Sequence, residues 1–287
     1  MRLLVDYSSL LYRAYHSLPE SLPVRGVYGF TNMLARLITD HRPRELAICV
    51  DDDWRPAFRT DALPAYKAHR VAETEDEADP IAIDEAVGRE VMIALGIAVP
   101  GADGFEGEDV IATLAARARG PVAIVSGDRD CFALVRDPDV VVLYPVTGVS
   151  KLVRVDEAEI TRRYAIPGRA YLDFALLRGD PSDGLPGVRG IGEKTAAALV
   201  RRYGSLDAIV TARDLEPAVA RRLADSRDYL EAARRVIPPV ATVPLPDVSL
   251  VLPHAPADPN RLAALADEHG LATPIDRLRA ALSAQAG

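Results

Sequence analysis

Asp6, Asp51 and Asp128 each follow a short aliphatic run: Leu3-Leu4-Val5, Ala47-Ile48-Cys49-Val50 and Ala123-Ile124-Val125-Ser126-Gly127, with Asp130 two residues beyond the last. If those runs are strands of one parallel sheet, their carboxyl ends share an edge, where such sheets bind ligands. Glu106, Glu108 and Asp109 in "FEGEDVIATLA" open a helical pattern. The helix dipole favours carboxylates there whether or not they bind anything, and Glu106 and Asp109, three apart, can share a face. Asp180 and Asp183 in "GDPSDGLPG" bring the number to nine. Two like charges about 4 Å apart repel by roughly 4 kcal/mol at an effective dielectric near 20. Such a gathering needs protonation or divalent cations. All-oxygen donors suit Mg²⁺ or Mn²⁺. Zinc is the poorer match, since the five histidines are scattered and no His/Cys spacing resembles a zinc site.

The last two acids run straight into "LPGVRGIGEKTAAALVRRYG". Gly187, Gly190 and Gly192 lead to Glu193-Lys194-Thr195 and a helical pattern. This is no Walker A loop, because Glu193 follows Gly192, and no dinucleotide fingerprint, because the third glycine is missing. A hairpin of small residues opening a helix offers backbone N–H groups and a helix N-terminus to an anion. Such a receptor reads phosphate without reading bases. A plain connection between two helices accounts for the same residues.

These groups must be positioned by the rest of the chain. It has 287 residues, 49% hydrophobic and 26% charged, enough for one large domain or two small ones. The aliphatic runs Arg2-Val5, Leu46-Val50, Val122-Val125 and Val140-Leu143 read as buried strands. Tyr28-Ile38, Ile81-Leu95 and Asp109-Ala118 between them read as amphipathic helices. That alternation predicts an α/β fold: a parallel sheet with helices on both faces. From about Asp156 helical patterns follow one another, a Pro-rich stretch spans 238–246, and two short helices near 258–268 and 274–284 are expected to pack back on the body. No apolar run reaches membrane-spanning length. The start has no signal-peptide pattern, and Cys49 and Cys131 read as reduced thiols, so a cytoplasmic protein is expected. The net charge of −8 argues against a nucleic-acid partner unless the acids are concentrated in a metal site. Tyr12 and Tyr15 read as core residues, and Trp54 stays unassigned.

Six stretches in order, "LLVDYSSLLYRAYHSL", "VYGF", "FRTDALPAYKAHR", "FEGEDVIATLA", "VSGDRDCFALV" and "LRGDPSDGLPGVRGIGEKTAAAL", resemble the structure-specific 5′-nucleases. That family comprises the exonuclease domain of bacterial DNA polymerase I and its free-standing flap endonuclease relatives. The resemblance implies a PIN-like domain over 1–165, a helix-hairpin-helix subdomain over 166–240 and a C-terminal extension over 241–287. With no polymerase domain following, it implies a free-standing 5′-3′ exonuclease or flap endonuclease of replication and repair. Such an enzyme would act on 5′-flapped, nicked or 5′-ended DNA beside a polymerase and a ligase, within a bacterial cytoplasm and its nucleoid.

Carried over by position, Asp6, Asp51, Glu106, Glu108, Asp109, Asp128, Asp130, Asp180 and Asp183 become ligands for two or more Mg²⁺ or Mn²⁺ ions. Arg13, Lys67 and Arg70 become catalytic cations near the phosphate, Lys67 and Arg70 sharing a helical face. Gly187, Gly190, Gly192, Lys194 and Thr195 become the grip on duplex DNA, with K⁺ at the hairpin carbonyls. Glu108 stands where an Asp is usual and Gly184 where an Asn is frequent. Within Asp51-Asp52-Asp53, strand register favours Asp51 and spacing from Phe58-Arg59 favours Asp52. The acidic stretch 71–79 lies where relatives build an arch over single-stranded DNA, and its composition reads as a solvated loop. Three rival readings are a branched-DNA binding module without catalysis, an RNA-directed PIN-type nuclease and a metal-dependent phosphatase of another class.

Overall fold

The computed structural model describes residues 1–70 and 81–285, so the acidic stretch 71–79 lies outside the described residues. Five strands form one sheet in the order β2-β1-β3-β4-β5. They are β1 (Arg2–Asp6), β2 (Glu45–Cys49), β3 (Val122–Val125), β4 (Val140–Thr147) and β5 (Lys151–Val155). The first four are mutually parallel where they pair, and β5 returns antiparallel to β4. The fifth strand departs from expectation: "KLVRV" is short, half-exposed and interrupted by charge, so it carries no aliphatic-run signal.

The two faces of the sheet feed two cores, because successive side chains point to opposite sides. Leu3, Val5, Leu46, Ile48, Ala123 and Val125 face a cluster built with Val27, Phe30 and Leu34 and with Leu262, Leu265, Ile275 and Leu278. Those residues lie on α1 (Tyr7–Ser17), α2 (Arg25–His41), α4 (Ala82–Leu95), α12 (Pro259–His269) and α13 (Ala272–Ser283) or pack with them. The two C-terminal helices therefore close this face.

Leu4, Ala47, Cys49, Ile124 and Val142 face the other way, toward α5 (Gly107–Ala116). Their cluster continues without a break into the helical part through Tyr171, Phe174, Leu185, Val188, Ile191 and Val200. That part comprises α6 (Glu157–Tyr164), α7 (Tyr171–Arg178), α8 (Glu193–Tyr203), α9 (Leu206–Thr211), α10 (Pro217–Asp225) and α11 (Arg227–Val236). Between α7 and α8 lies the glycine hairpin, and a short α3 (Ala57–Ala62) follows β2. Because the helical part shares a core with the sheet, its hairpin is fixed relative to the strand ends. No described helix is long and apolar enough to cross a membrane.

Candidate active site at the carboxyl edge of the sheet

Parallel pairing of β1 with β2 and β3 brings Asp6, Asp51 and Asp128 to one edge. Asp6 ends β1 and caps α1, accepting from the amide of Ser9 (3.1 Å) and the hydroxyl of Ser126 (2.5 Å). Burial, and next the neighbouring Asp51, push its carboxyl up to about 7. Asp51 accepts from the Ser8 hydroxyl (2.5 Å) and the Gly107 amide (2.5 Å), tying β2 to the start of α5. Asp52 turns to solvent and pairs with Arg89 (2.8 Å). Of the two, Asp51 faces the cleft.

Asp128 and Asp130 follow β3, and the Asp130 amide donates to Asp128 (2.8 Å). Both carboxyls lie above the usual range, chiefly through burial, with Asp183 and Asp180 acting on each as like charges. Glu108 is pushed well up by burial, while Arg59 pulls down and Glu106 and Asp130 push up. One field of mutual repulsion thus runs from β1 to the hairpin acids. Asp180 accepts from the amide (3.0 Å) and hydroxyl (2.5 Å) of Ser182 and sits 3.5 Å from both Arg129 and Arg178.

Cations are folded in among these acids. Arg59, on α3, is fully buried. It pairs with Glu106, with Glu108 (2.8 Å) and with Asp109 (2.7 Å). Lys67 Nζ meets Glu106 Oε1 (2.8 Å), Tyr66 donates to Glu106 Oε2 (2.8 Å), and Arg70 meets Asp183 (2.6 Å). Lys67 does not share a helical face with Arg70. It stands in a turn with φ 48° just before helical residues 68–70, held by its amide on the Asp183 carbonyl (2.9 Å). Arg13 lies against Gly127, its Nε buried without a partner among the described residues. As placed, no three His, Cys, Asp or Glu side chains among the described residues close around a metal position. The cleft gathers the carboxylates into one field, with Arg and Lys side chains answering much of their charge.

Asp109 stands apart from the other acids. It has no exposure. Its Oδ1 accepts from Arg59 (2.7 Å) and the Val240 amide (2.7 Å), and its Oδ2 accepts from the Glu106 amide (3.2 Å) in a reciprocal capping box. Three donors thus share its two oxygens, two of them on Oδ1.

The hairpin needs its glycines for different reasons. Gly187 is buried at φ +67°, and a Cβ there would meet the Arg178 carbonyl oxygen at 2.3 Å. It makes the turn from a buried position. Gly190, Gly192 and Lys194 are exposed and Thr195 is half-buried at the start of α8, while Leu185, Val188 and Ile191 anchor the loop in the core. The Gly190 carbonyl accepts from Arg222 (3.0 Å).

Tyr12 is 59% exposed and stacks on His16 with centroids 4.3 Å apart, so it is not core. Tyr15 is half-buried under Arg25. Arg59, Tyr66, Ser8 and Ser126 also belong to the cleft, and sequence reasoning misses them. All four lie inside the stretches that resemble the family, and that is the signal they leave in the sequence.

Two sequence models of one family match the chain. The model described as "5'-3' exonuclease, N-terminal resolvase-like domain" matches residues 1–165, and "5'-3' exonuclease, C-terminal SAM fold" matches residues 166–257. A 5'-3' exonuclease of Streptomyces coelicolor is 47% identical, covering 98% of this chain and 100% of that protein. A 5'-3' exonuclease of Mycobacterium tuberculosis is 43% identical over 99% of this chain and 98% of that protein. DNA polymerase I of Mycobacterium bovis is 40% identical over 99% of this chain, which spans 32% of that longer protein. Among solved structures, T5 5'-exonuclease with bound divalent metal ions (zinc) superposes with TM-score 0.67 at 16% identity, covering 100% and 99% of the two chains. The catalytic core of Rad2 in complex with DNA substrate superposes with TM-score 0.60 at 17% identity, covering 99% and 92%.

Proposed function

The chain belongs to the 5′-3′ exonuclease family over both of its parts, and on that premise we propose that its acidic cleft hydrolyses phosphodiesters in 5′-ended or 5′-flapped DNA with Mg²⁺ or Mn²⁺. The observation that carries this reading is convergence. Asp6, Asp51, Glu108, Asp128, Asp130, Asp180 and Asp183 come from three strand ends, α5 and the hairpin into one field beside an exposed helix N-terminus.

The donor set is all carboxylate, which fits hard divalent ions. Burial and mutual repulsion raise several of these acids toward protonation, and cations are the other way to hold them together. We assign those seven, with Glu106, as ligands. Glu106 accepts from Lys67, Tyr66 and Arg59, and it stays in the set because Lys67 can turn from Oε1 to a phosphate instead. Bound divalent ions would supply a water of lowered pKa and positive charge at the leaving oxygen. No nucleophilic side chain is required of the protein.

Its own residues hold and orient. Arg13, whose Nε has no partner among the described residues, offers its guanidinium to a phosphate at the cleft rim. Lys67 and Arg70 add charge where negative charge develops on the phosphoryl group. The first turn of α8, with Gly190, Gly192, Lys194 and Thr195, takes a backbone phosphate of the adjoining duplex. Asp180 and Asp183 begin the same loop, so one segment links grip to cleavage. The nick or gap left by removing a 5′ strand suits a DNA polymerase and a ligase acting next.

The test uses a 5′-labelled flap duplex, a matched single-stranded RNA and a phosphomonoester, each with Mg²⁺, Mn²⁺, Zn²⁺ or EDTA. Short 5′ products should appear from the DNA flap with Mg²⁺ or Mn²⁺ and vanish in EDTA. Tight flap binding without cleavage under every ion would leave only a branched-DNA binding module. Preferential cutting of the RNA would move the substrate class.

A further inference from the structure

Asp109, Thr113 and Arg117 recur every four residues from the start of α5, so their side chains stack along one face of the helix and its end. The segment after α11 runs along that face and is held by its backbone. The Val240 amide donates to Asp109 Oδ1 (2.7 Å), and the Thr113 hydroxyl donates to the Val240 carbonyl (3.1 Å). That hydroxyl also accepts from the Val243 amide (3.0 Å), and Arg117 donates to the Val243 carbonyl (2.9 Å).

These bonds lead into the cleft. The oxygen that receives Val240 also receives Arg59 Nη2 (2.7 Å), and the same nitrogen lies 2.8 Å from Glu108 Oε1. Strap amide, Asp109, Arg59 and Glu108 therefore form one continuous chain of contacts. We infer that Asp109 is a positioning residue rather than a metal ligand, which fastens the strap 240–243 to the start of α5 and, through Arg59, sets where Glu108 points. The inference rests on the reading of the cleft as a divalent-metal site. It takes one acid out of that site and gives the strap a hold on it. Without the Val240 bond, Oδ1 keeps only Arg59 Nη2, and that nitrogen can shift toward Glu108 while Nη1 stays on Glu106.

Two substitutions at one position separate the roles. Asn keeps an Oδ1 acceptor for Val240 and Arg59 but loses the charge that a metal ligand supplies; Ala loses both. Mn²⁺ binding is measured by calorimetry, and exchange of the Val240 and Val243 amides is measured in metal-free protein. Asp109→Ala should weaken Mn²⁺ about tenfold or more, the usual loss when an outer partner of a metal ligand is removed. It should also speed exchange at Val240. Asp109→Asn should bring both back to near the wild-type values.

Thr113→Val changes no charge and touches no cleft acid, so it carries the test where Asp109→Ala does not fold. It should speed exchange at both amides and weaken Mn²⁺ by a few-fold. The inference is overturned if Asp109→Asn binds Mn²⁺ as poorly as Asp109→Ala while Val240 stays protected, because the carboxylate itself would then be the ligand. It is also overturned if Thr113→Val frees the strap and leaves Mn²⁺ affinity untouched. Wild-type protein that binds no Mn²⁺ would instead remove the metal reading, with protection at Val240 and Val243 still reporting the strap.

Discussion

Two sets of carboxylates in this chain sit in opposite surroundings. Along the sheet edge, Asp6, Glu108, Asp128 and Asp130 are desolvated, face other acids and lie above the usual carboxyl range. On α6, Glu159 lies in the first turn between Arg162 and Arg163 and is held down to about 2 by their hydrogen bonds. The amino-acid type is almost the same, and what differs is the company. An acid surrounded by donors helps the fold and has nothing left to offer a ligand. An acid facing other acids strains the fold and is completed by a cation brought from outside. Asp109 shows how close the two surroundings can come. Burial raises its carboxyl too, but Arg59 and the Val240 and Glu106 amides pull it down, while Glu108 beside it also faces Glu106 and Asp130.

The largest break in that contrast comes from deleting a cleft acid. Asp128→Ala and Asp180→Ala should each lower single-turnover flap cleavage by on the order of 10³, as expected when several kcal/mol of charge stabilisation is lost. Retained metal-dependent cleavage in either variant would show that the acids are not its ligands.

Next in size is Arg59→Met. Among the described residues Arg59 is the fully buried cation that meets Glu106, Glu108 and Asp109 together, so its removal leaves Lys67 on Glu106 and the other two acids without a cation. A loss of about 3–5 kcal/mol in urea unfolding is expected, as for other buried pairs broken on one side. A loss below roughly 1 kcal/mol would mean that the acids take up protons instead, and calorimetry in two buffers would detect them.

A smaller effect has the opposite sign. Asp128→Asn keeps the Oδ1 acceptor for the Asp130 amide while removing a repelled charge. In EDTA at pH 8 it should stabilise the protein by about 1 kcal/mol, or roughly 2–4 °C in Tm, while cleavage is lost. Adding Mg²⁺ should then stabilise the wild type more than the variant. A variant less stable than wild type in EDTA would contradict the repulsion.

How much of this could be read in the sequence follows from the same contrast. Asp6, Asp51 and Asp128 were legible because a carboxylate that ends a buried aliphatic strand brings a charge to the sheet edge, where ligands bind. Arg59 was not, because its burial depends on three acids arriving from 47 to 50 residues away. Val240 and Val243 were invisible for a simpler reason: they act through backbone groups, which leave no side-chain signature. The hairpin glycines looked alike in sequence. Only the approach of the Arg178 carbonyl separates Gly187, which makes the turn, from Gly190 and Gly192, which face outward. Strand β5 escaped because alternation broken by Lys151 and Arg154 on a half-exposed edge resembles a loop.

The smallest predicted effect tests the other side of the contrast. Arg162 Nε and Nη2 donate to Glu159 Oε2 (2.6 Å) and Oε1 (2.7 Å), and Arg163 Nε donates to Oε1 (2.6 Å). The carboxyl is lowered from 4.5 to about 2, so the folded state binds that proton less readily than the unfolded chain. Its stabilisation is therefore complete above about pH 4.5 and disappears as pH falls toward 2. The pairs lie near the surface, where such contacts contribute little, so Glu159→Gln should lower Tm at pH 7 by no more than roughly 2 °C. The two Tm curves should converge between pH 4.5 and 2, and metal should not alter their difference. The cleft acids slope the other way: their folded carboxyls are raised, so in EDTA their contribution falls as pH rises toward neutrality. Asp128→Asn should accordingly separate from wild type as pH rises, and Glu159→Gln should merge with it as pH falls. Parallel curves for Glu159→Gln and wild type from pH 2 to 5 would show that its arginines leave its proton affinity unchanged, and the contrast between the two sets of acids would lose its second half.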